Sequence, residues 1–133
     1  MATPTEKKLV LLLDDDKFLL DMYAMKFQQQ GYNVQAFLST KEALAALRAG
    51  LSPDVMLFDL VMPEMDGVAF LTAVIEEKLA KNATKIVLTN QNNDADREKV
   101  LAIGADQCVI KASAVPSEVV NIVERAISGK RKA

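Results

Sequence analysis

Histidine is missing from this chain altogether, and cysteine occurs once, at Cys108. The first absence excludes a histidine general base and histidine metal ligands, so any metal must be held by oxygen donors or by that single thiol. The second excludes an internal disulfide and fits a reducing compartment. No apolar run approaches the roughly 20 residues that span a bilayer. Met1 to Lys8 is short and polar, and Leu9 to Leu13 is too short for an export-signal core. The expectation is a cytoplasmic protein without membrane contact. A net charge of −2 gives no general attraction to nucleic-acid phosphate or acidic lipid. Internal repeats and low-complexity segments are also lacking. What is there is a 133-residue chain, 50% hydrophobic and 26% charged, suited to one globular domain with a real core.

Short apolar runs alternate with helix-like segments. Leu9 to Leu13 reads as a strand ending at Asp14. Asp16 to Gln30 reads as a helix, with Phe18, Leu19, Met22, Met25 and Lys26 near helical spacing and Gly31 as its stop. Tyr32 to Phe37 suits a second strand. Ser39 to Glu42 fits a capping box that opens a helix carrying Ala43, Leu44, Ala46 and Leu47 and ending near Gly50. Val55 to Phe58 is a third strand, ending at Asp59. Pro63 and Gly67 mark a loop, followed by a helix to about Leu79 that buries Phe70, Leu71, Val74 and Ile75. Lys85 to Leu88 is a fourth strand, stopping at Thr89. Asn90 to Asn93 is a polar loop, and Asp94 to Ile103 a more polar helix closed by Gly104. Gln107 to Ile110 is the fifth strand, ending at Lys111. Pro116 opens a last helix with Val119, Val120, Ile122, Val123 and Ile127 inward. Residues 1–7 read as an N-terminal tail, 8–128 as the domain and 129–133 as a basic, frayed C-terminal tail. Strands with apolar residues at successive positions are covered on both faces. The fold class is therefore α/β, a doubly wound parallel sheet wrapped by helices.

Each strand delivers a particular residue at its carboxyl end: Asp14 and Asp15, then Asp59, Thr89 and Lys111. In a parallel sheet these ends share one edge, where ligands of open α/β sheets bind. Three carboxylates crowded together repel, and Lys111 offsets only one charge. A hard divalent cation with oxygen ligands, Mg²⁺, resolves the remainder. A carboxylate can also attack a phosphoryl group, and that transfer needs charge neutralisation and in-line positioning more than acid–base chemistry. Taken singly, each aspartate reads equally as a loop cap. Asp16 reads as the cap of the first helix rather than a metal ligand. Cys108 reads as a small buried filler, and Met22, Met25, Met56, Met62 and Met65 as packing rather than copper ligands.

At these residues the sequence resembles the CheY-like response-regulator receiver family. The resemblance rests on Leu12 to Asp16, Asp59 to Gly67, Leu88-Thr89, Gly104 to Asp106 and Ile110-Lys111. It implies a flavodoxin-like five-stranded parallel sheet in the order 2-1-3-4-5 with five helices. It implies Asp59 as phosphoacceptor and Mg²⁺ held by Asp14, Asp15, Asp59 and the backbone carbonyl of Val61. Thr89 and Lys111 would grip the phosphoryl group. The donor would be a phosphohistidine on a sensor histidine kinase or phosphotransfer protein, or acetyl phosphate. Such a protein is a signalling phosphoacceptor rather than an enzyme, catalysing only its own phosphorylation and dephosphorylation.

Three positions depart from the family pattern. Ala112 follows Lys111 where members usually carry proline. A cis bond would cost about 2.5–4 kcal/mol at a non-proline residue, so a trans bond and a reshaped loop through Val115 are expected. Cys108 stands where the family's switch aromatic belongs, and Asn90 where Ala or Gly is usual. Val61 and Gln91 occupy the two positions that tune phosphoryl lifetime in the family, and an apolar Val61 cannot orient attacking water. Two other readings compete. A docking-only pseudo-receiver is kept open by Cys108 and Ala112. A Mg²⁺-dependent phosphohydrolase is disfavoured because Phe18 stands where the Asp-x-Asp-x-Thr pattern needs threonine. No output domain or DNA-reading helix is expected after the fifth helix. The expected output is therefore contact with a downstream target protein, by a stand-alone monomer or weak homodimer, without direct nucleic-acid binding.

Overall fold

Apolar residues at consecutive positions need cover on both sides, and the strands sit accordingly. The computed structural model describes residues 8–89, 94–110 and 115–132. Within them the chain runs β1 (Leu9–Leu13), α1 (Lys17–Gln29), β2 (Asn33–Phe37), α2 (Thr40–Arg48), β3 (Val55–Asp59), then α3 (Gly67–Glu76). It continues through β4 (Thr84–Thr89), α4 (Asp94–Ile103), β5 (Gln107–Ile110) and α5 (Pro116–Lys132). The strands form one parallel sheet in the order β2-β1-β3-β4-β5. The α/β class and the strand order expected from the resemblance are both present.

Alternate side chains of each strand feed two cores. Leu11, Leu13, Met56, Phe58, Val87 and Cys108 pack with Leu44 and Leu47 of α2, Phe70, Leu71 and Val74 of α3, and Val100 of α4. Val10, Leu12, Leu57, Ile86 and Leu88 pack on the opposite face with Leu20, Tyr23 and Phe27 of α1 and Val119, Val120 and Val123 of α5. Every residue of β3 and β4 is buried, whereas the edge strand β2 has no buried residue and exposes Asn33, Gln35 and Ala36.

Three details of the helices differ from expectation. Phe18 and Met25 point to solvent at 74% and 59% exposure. Two apolar stripes compete in α1, and the one containing Tyr23 and Phe27 wins the core face. Helix α3 ends at Glu76 rather than near Leu79, leaving Ile75 exposed; Lys78 and Ala80 then turn the chain with φ of 59° and 46°. Helix α5 runs to Lys132, past the stop expected at Gly129. A single interior glycine costs a helix only about 1 kcal/mol and does not end one by itself.

The strand entrances are pinned by two aspartates. Asp54 accepts from the Leu9 N–H (2.7 Å), and Asp106 accepts from the Lys85 N–H (2.8 Å). Asp106 thus belongs to the edge opposite the carboxyl ends. Lys85 is buried there with its ammonium donating to the carbonyls of Ala80 and Ala83.

Candidate functional site

The strand order reverses between β1 and β3, so the connections from these two neighbours leave toward opposite faces and a crevice opens beyond their carboxyl ends. Asp14 follows β1 and Asp59 closes β3. Carboxylate oxygens of Asp14, Asp15 and Asp59 all lie within 4.8 Å of one another. Asp14 and Asp59 are buried at 3% and 6% exposure, whereas Asp15 faces solvent. Backbone geometry fixes the first of them. The Asp14 N–H donates to the Phe37 carbonyl (3.2 Å), and its Oδ1 accepts from the Asp16 N–H (2.9 Å). Asp16 itself turns away to cap α1, accepting from the Leu19 N–H at 3.2 Å. A cluster of oxygen donors with two buried members and one open to water suits a hard cation that keeps part of its aqueous shell.

The loop from Asp59 to Gly67 is drawn tightly against this cluster. The Val61 N–H donates to Asp59 Oδ1 (3.3 Å), the Met65 N–H to the Pro63 carbonyl (2.8 Å) and the Gly67 N–H to the Leu60 carbonyl (2.7 Å). Glu64 takes a φ of 69°, a left-handed conformation that side chains disfavour. Gly67 is required by contact rather than by φ: a Cβ there would stand 2.3 Å from the Asp59 carbonyl oxygen and 2.7 Å from Leu60 Cα. Asp66 then caps α3 through the Ala69 N–H (2.9 Å). Val61 lies 58% exposed on the loop beside the acidic cluster.

Thr89 ends β4 and is 3% exposed; the residue before it, Leu88, pairs with Asp59 across the sheet. Its own partner in β5 is Ile110, and Lys111 follows Ile110 in the sequence. Lys111, Asn90, Gln91 and Ala112, together with residues 1–7, lie outside the described residues, as does the loop expected to be reshaped after Lys111. One contributor was not legible beforehand. Thr40, 1% exposed at the start of α2, donates its hydroxyl to the Met65 carbonyl (2.9 Å) and so ties α2 to the Asp59–Gly67 loop. Its partner lies 25 residues away, and no local pattern signals such a bond.

Cys108 is packed beside Val87 in the core beneath α4. Burial pushes its thiol up, with Arg97 pulling it down and Asp96 raising it less strongly. A thiol held up in this way is protonated at neutral pH and a poor nucleophile. Iodoacetamide is therefore expected to modify Cys108 much more slowly in the native protein than in urea, as read by intact mass. Equal rates in the two conditions would contradict the packed-filler reading.

Comparison with known proteins decides the family. Residues 10–124 match the family described as the response regulator receiver domain. The chain belongs to the response-regulator receiver family. Among curated relatives of this receiver domain, the response regulator SaeR of Staphylococcus aureus (strain USA300) is 29% identical over 123 residues, covering 92% of this chain and 52% of that protein. The chain thus spans about half the length of the curated relatives it matches. Among solved structures, the chemotaxis response regulator CheY4 of Vibrio cholerae is 27% identical with a TM-score of 0.81, over 90% of this chain and 98% of that one. A CheY-like receiver domain protein from Methanospirillum hungatei JF-1 shares the fold at 24% identity and a TM-score of 0.86, covering 96% of this chain and 98% of that one. The receiver is accordingly a signalling module of two-component systems rather than an enzyme of the usual kind. Among its described residues no helix is long and apolar enough to cross a membrane.

Proposed function

We propose that this receiver is switched by Mg²⁺-dependent phosphorylation of Asp59. The observation that carries the proposal is the meeting of Asp14, Asp15 and Asp59 within 4.8 Å at the carboxyl edge of the sheet. Asp59 is the nucleophile. One of its oxygens forms a bond to phosphorus while the bond from phosphorus to the donor breaks. The electron pair leaves with the donor, a phosphohistidine imidazole that takes up a proton, or acetate when acetyl phosphate is used. Asp14 and Asp15, with Asp59 and the Val61 carbonyl, hold the cation. When bound, Mg²⁺ neutralises charge on the phosphoryl oxygens. The Thr89 hydroxyl donates to one of those oxygens, and Lys111 supplies a further positive charge. The donor protein is a sensor histidine kinase or phosphotransfer protein of the cytoplasm. The modified state changes the binding of a downstream protein by shifting a two-state equilibrium.

The test is incubation with acetyl phosphate and Mg²⁺ followed by intact-protein mass spectrometry. The expected result is a gain of about 80 Da, one phosphoryl group on a carboxylate, absent with chelator and absent in Asp59→Asn. No adduct from acetyl phosphate or from a phosphohistidine donor would leave the docking-only pseudo-receiver as the better description.

The lifetime of the adduct follows from Val61. An exposed apolar side chain beside the acidic cluster neither orients nor activates an attacking water. The phosphoryl group is therefore expected to persist for minutes rather than seconds, with Val61→Asn shortening it. Decay within seconds, followed by mass spectrometry after removal of the donor, would contradict this assignment.

A further inference from the structure

Thr40 stands outside the acidic cluster, yet its contact reaches the loop on which the cluster depends. It is buried at 1% exposure at the first position of α2, whose own cap is Ser39, accepting from the Glu42 N–H at 3.1 Å. The Thr40 hydroxyl is therefore not spent on capping and donates instead to the Met65 carbonyl at 2.9 Å. Three separate hydrogen bonds shape the same loop. The Met65 N–H holds Pro63, the Gly67 N–H holds Leu60, and the Val61 N–H holds Asp59 Oδ1. Among the described residues this turn of α2 also meets the loop through the exposed Lys41–Glu64 pair at 3.7 Å, which solvent screens. Glu64 lies beside the anchored carbonyl with its φ of 69°, a strained conformation that persists only where surrounding contacts over-determine it.

We infer that Thr40 is a positioning residue: its bond to Met65 holds the Asp59–Gly67 loop in the shape that presents Asp59 and Val61 to a cation. The inference rests on the phosphoacceptor reading given above. It makes the start of α2 part of the support for the site, although no atom of α2 belongs to the acidic cluster. Outer partners that orient ligating groups have a measurable share in metal affinity.

The experiment compares the full chain with Thr40→Val, which keeps shape and removes the hydroxyl, and with Thr40→Ser, which restores it. Thr40→Ala replaces the Val variant if that one does not fold. Two readouts are taken: Mg²⁺ affinity by calorimetric titration, and amide hydrogen exchange of the metal-free protein. Thr40→Val is expected to weaken Mg²⁺ binding about tenfold, as loss of an outer partner does. It should also speed exchange at Met65 and Gly67 while leaving β1 and β3 protected, and Thr40→Ser should restore both. The inference is overturned if Thr40→Val matches the parent in both readouts. It is equally overturned if loop exchange rises only in step with that of β1 and β3, which is global destabilisation. A parent protein that takes up no Mg²⁺ overturns the phosphoacceptor reading instead. The exchange arm then still decides whether Thr40 shapes the loop.

Discussion

Gly67→Ala is expected to lower stability by about 3 kcal/mol, at the upper end of the usual cost of overpacking, and to blunt phosphorylation of the same protein. The added methyl carbon would sit 2.3 Å from the Asp59 carbonyl oxygen and 2.7 Å from Leu60 Cα. Both are backbone atoms, so no side-chain rotation relieves the overlap. The first turn of α3 must back away from the end of β3, and the bond from the Gly67 N–H to the Leu60 carbonyl is stretched in the process. Because Asp59 lies at the point of collision, the loss of stability and the loss of function share a cause. Urea unfolding read by circular dichroism measures the first, and phosphoryl uptake by intact mass the second. A variant as stable as the parent would show that α3 can shift without cost, contrary to the tight contact described.

Phe58→Ala should cost more, about 3–5 kcal/mol, the range for removing a buried aromatic side chain. Phe58 is fully buried one residue before Asp59 and meets Phe70 edge-on, with ring centroids 5.2 Å apart. The pair joins β3 to α3, the two elements between which the Asp59–Gly67 loop is strung. Removing the ring opens a cavity under that loop and forfeits the aromatic contact. Phe18→Ala is the matched control. With its ring 74% exposed, the change is expected to stay within about 0.5 kcal/mol, as for ordinary surface positions. The two urea midpoints therefore separate core from surface phenylalanine. A large loss at Phe18, or a small one at Phe58, would contradict the packing.

The strands were legible because each apolar run stops at a residue of a different kind. Leu13 gives way to Asp14, Phe58 to Asp59, and Leu88 to Thr89, so chemistry and strand end coincide. The grouping of Asp14, Asp15 and Asp59 follows from that coincidence and the parallel sheet. Helix faces were harder to read. Phe18, Met22 and Met25 form as good a helical stripe as Leu20, Tyr23 and Phe27, and only the packing of α1 against the sheet and α5 selects between them. The end of α3 is silent for another reason. Its turn places Lys78 and Ala80 in left-handed conformations without glycine or asparagine to announce them. Asp106, quoted as part of a family motif, serves the strand entrances, because its carboxylate caps the β4 backbone. Thr40 escaped notice because its worth lies in a carbonyl supplied by a distant segment.

The position of β1 inside the sheet, between β2 and β3, also governs the order in which the chain can assemble. Its four buried residues have β2 on one side, but on the other they wait for β3, and Leu9 finds its hydrogen-bond partner Asp54 only 45 residues later. During synthesis at about 5–20 residues per second, that interval leaves an apolar strand edge unpaired for roughly two to nine seconds. An open edge of this kind is a template for pairing between nascent chains. Crowded polysomes at low temperature, where elongation is slow, should therefore be where this domain most needs a chaperone.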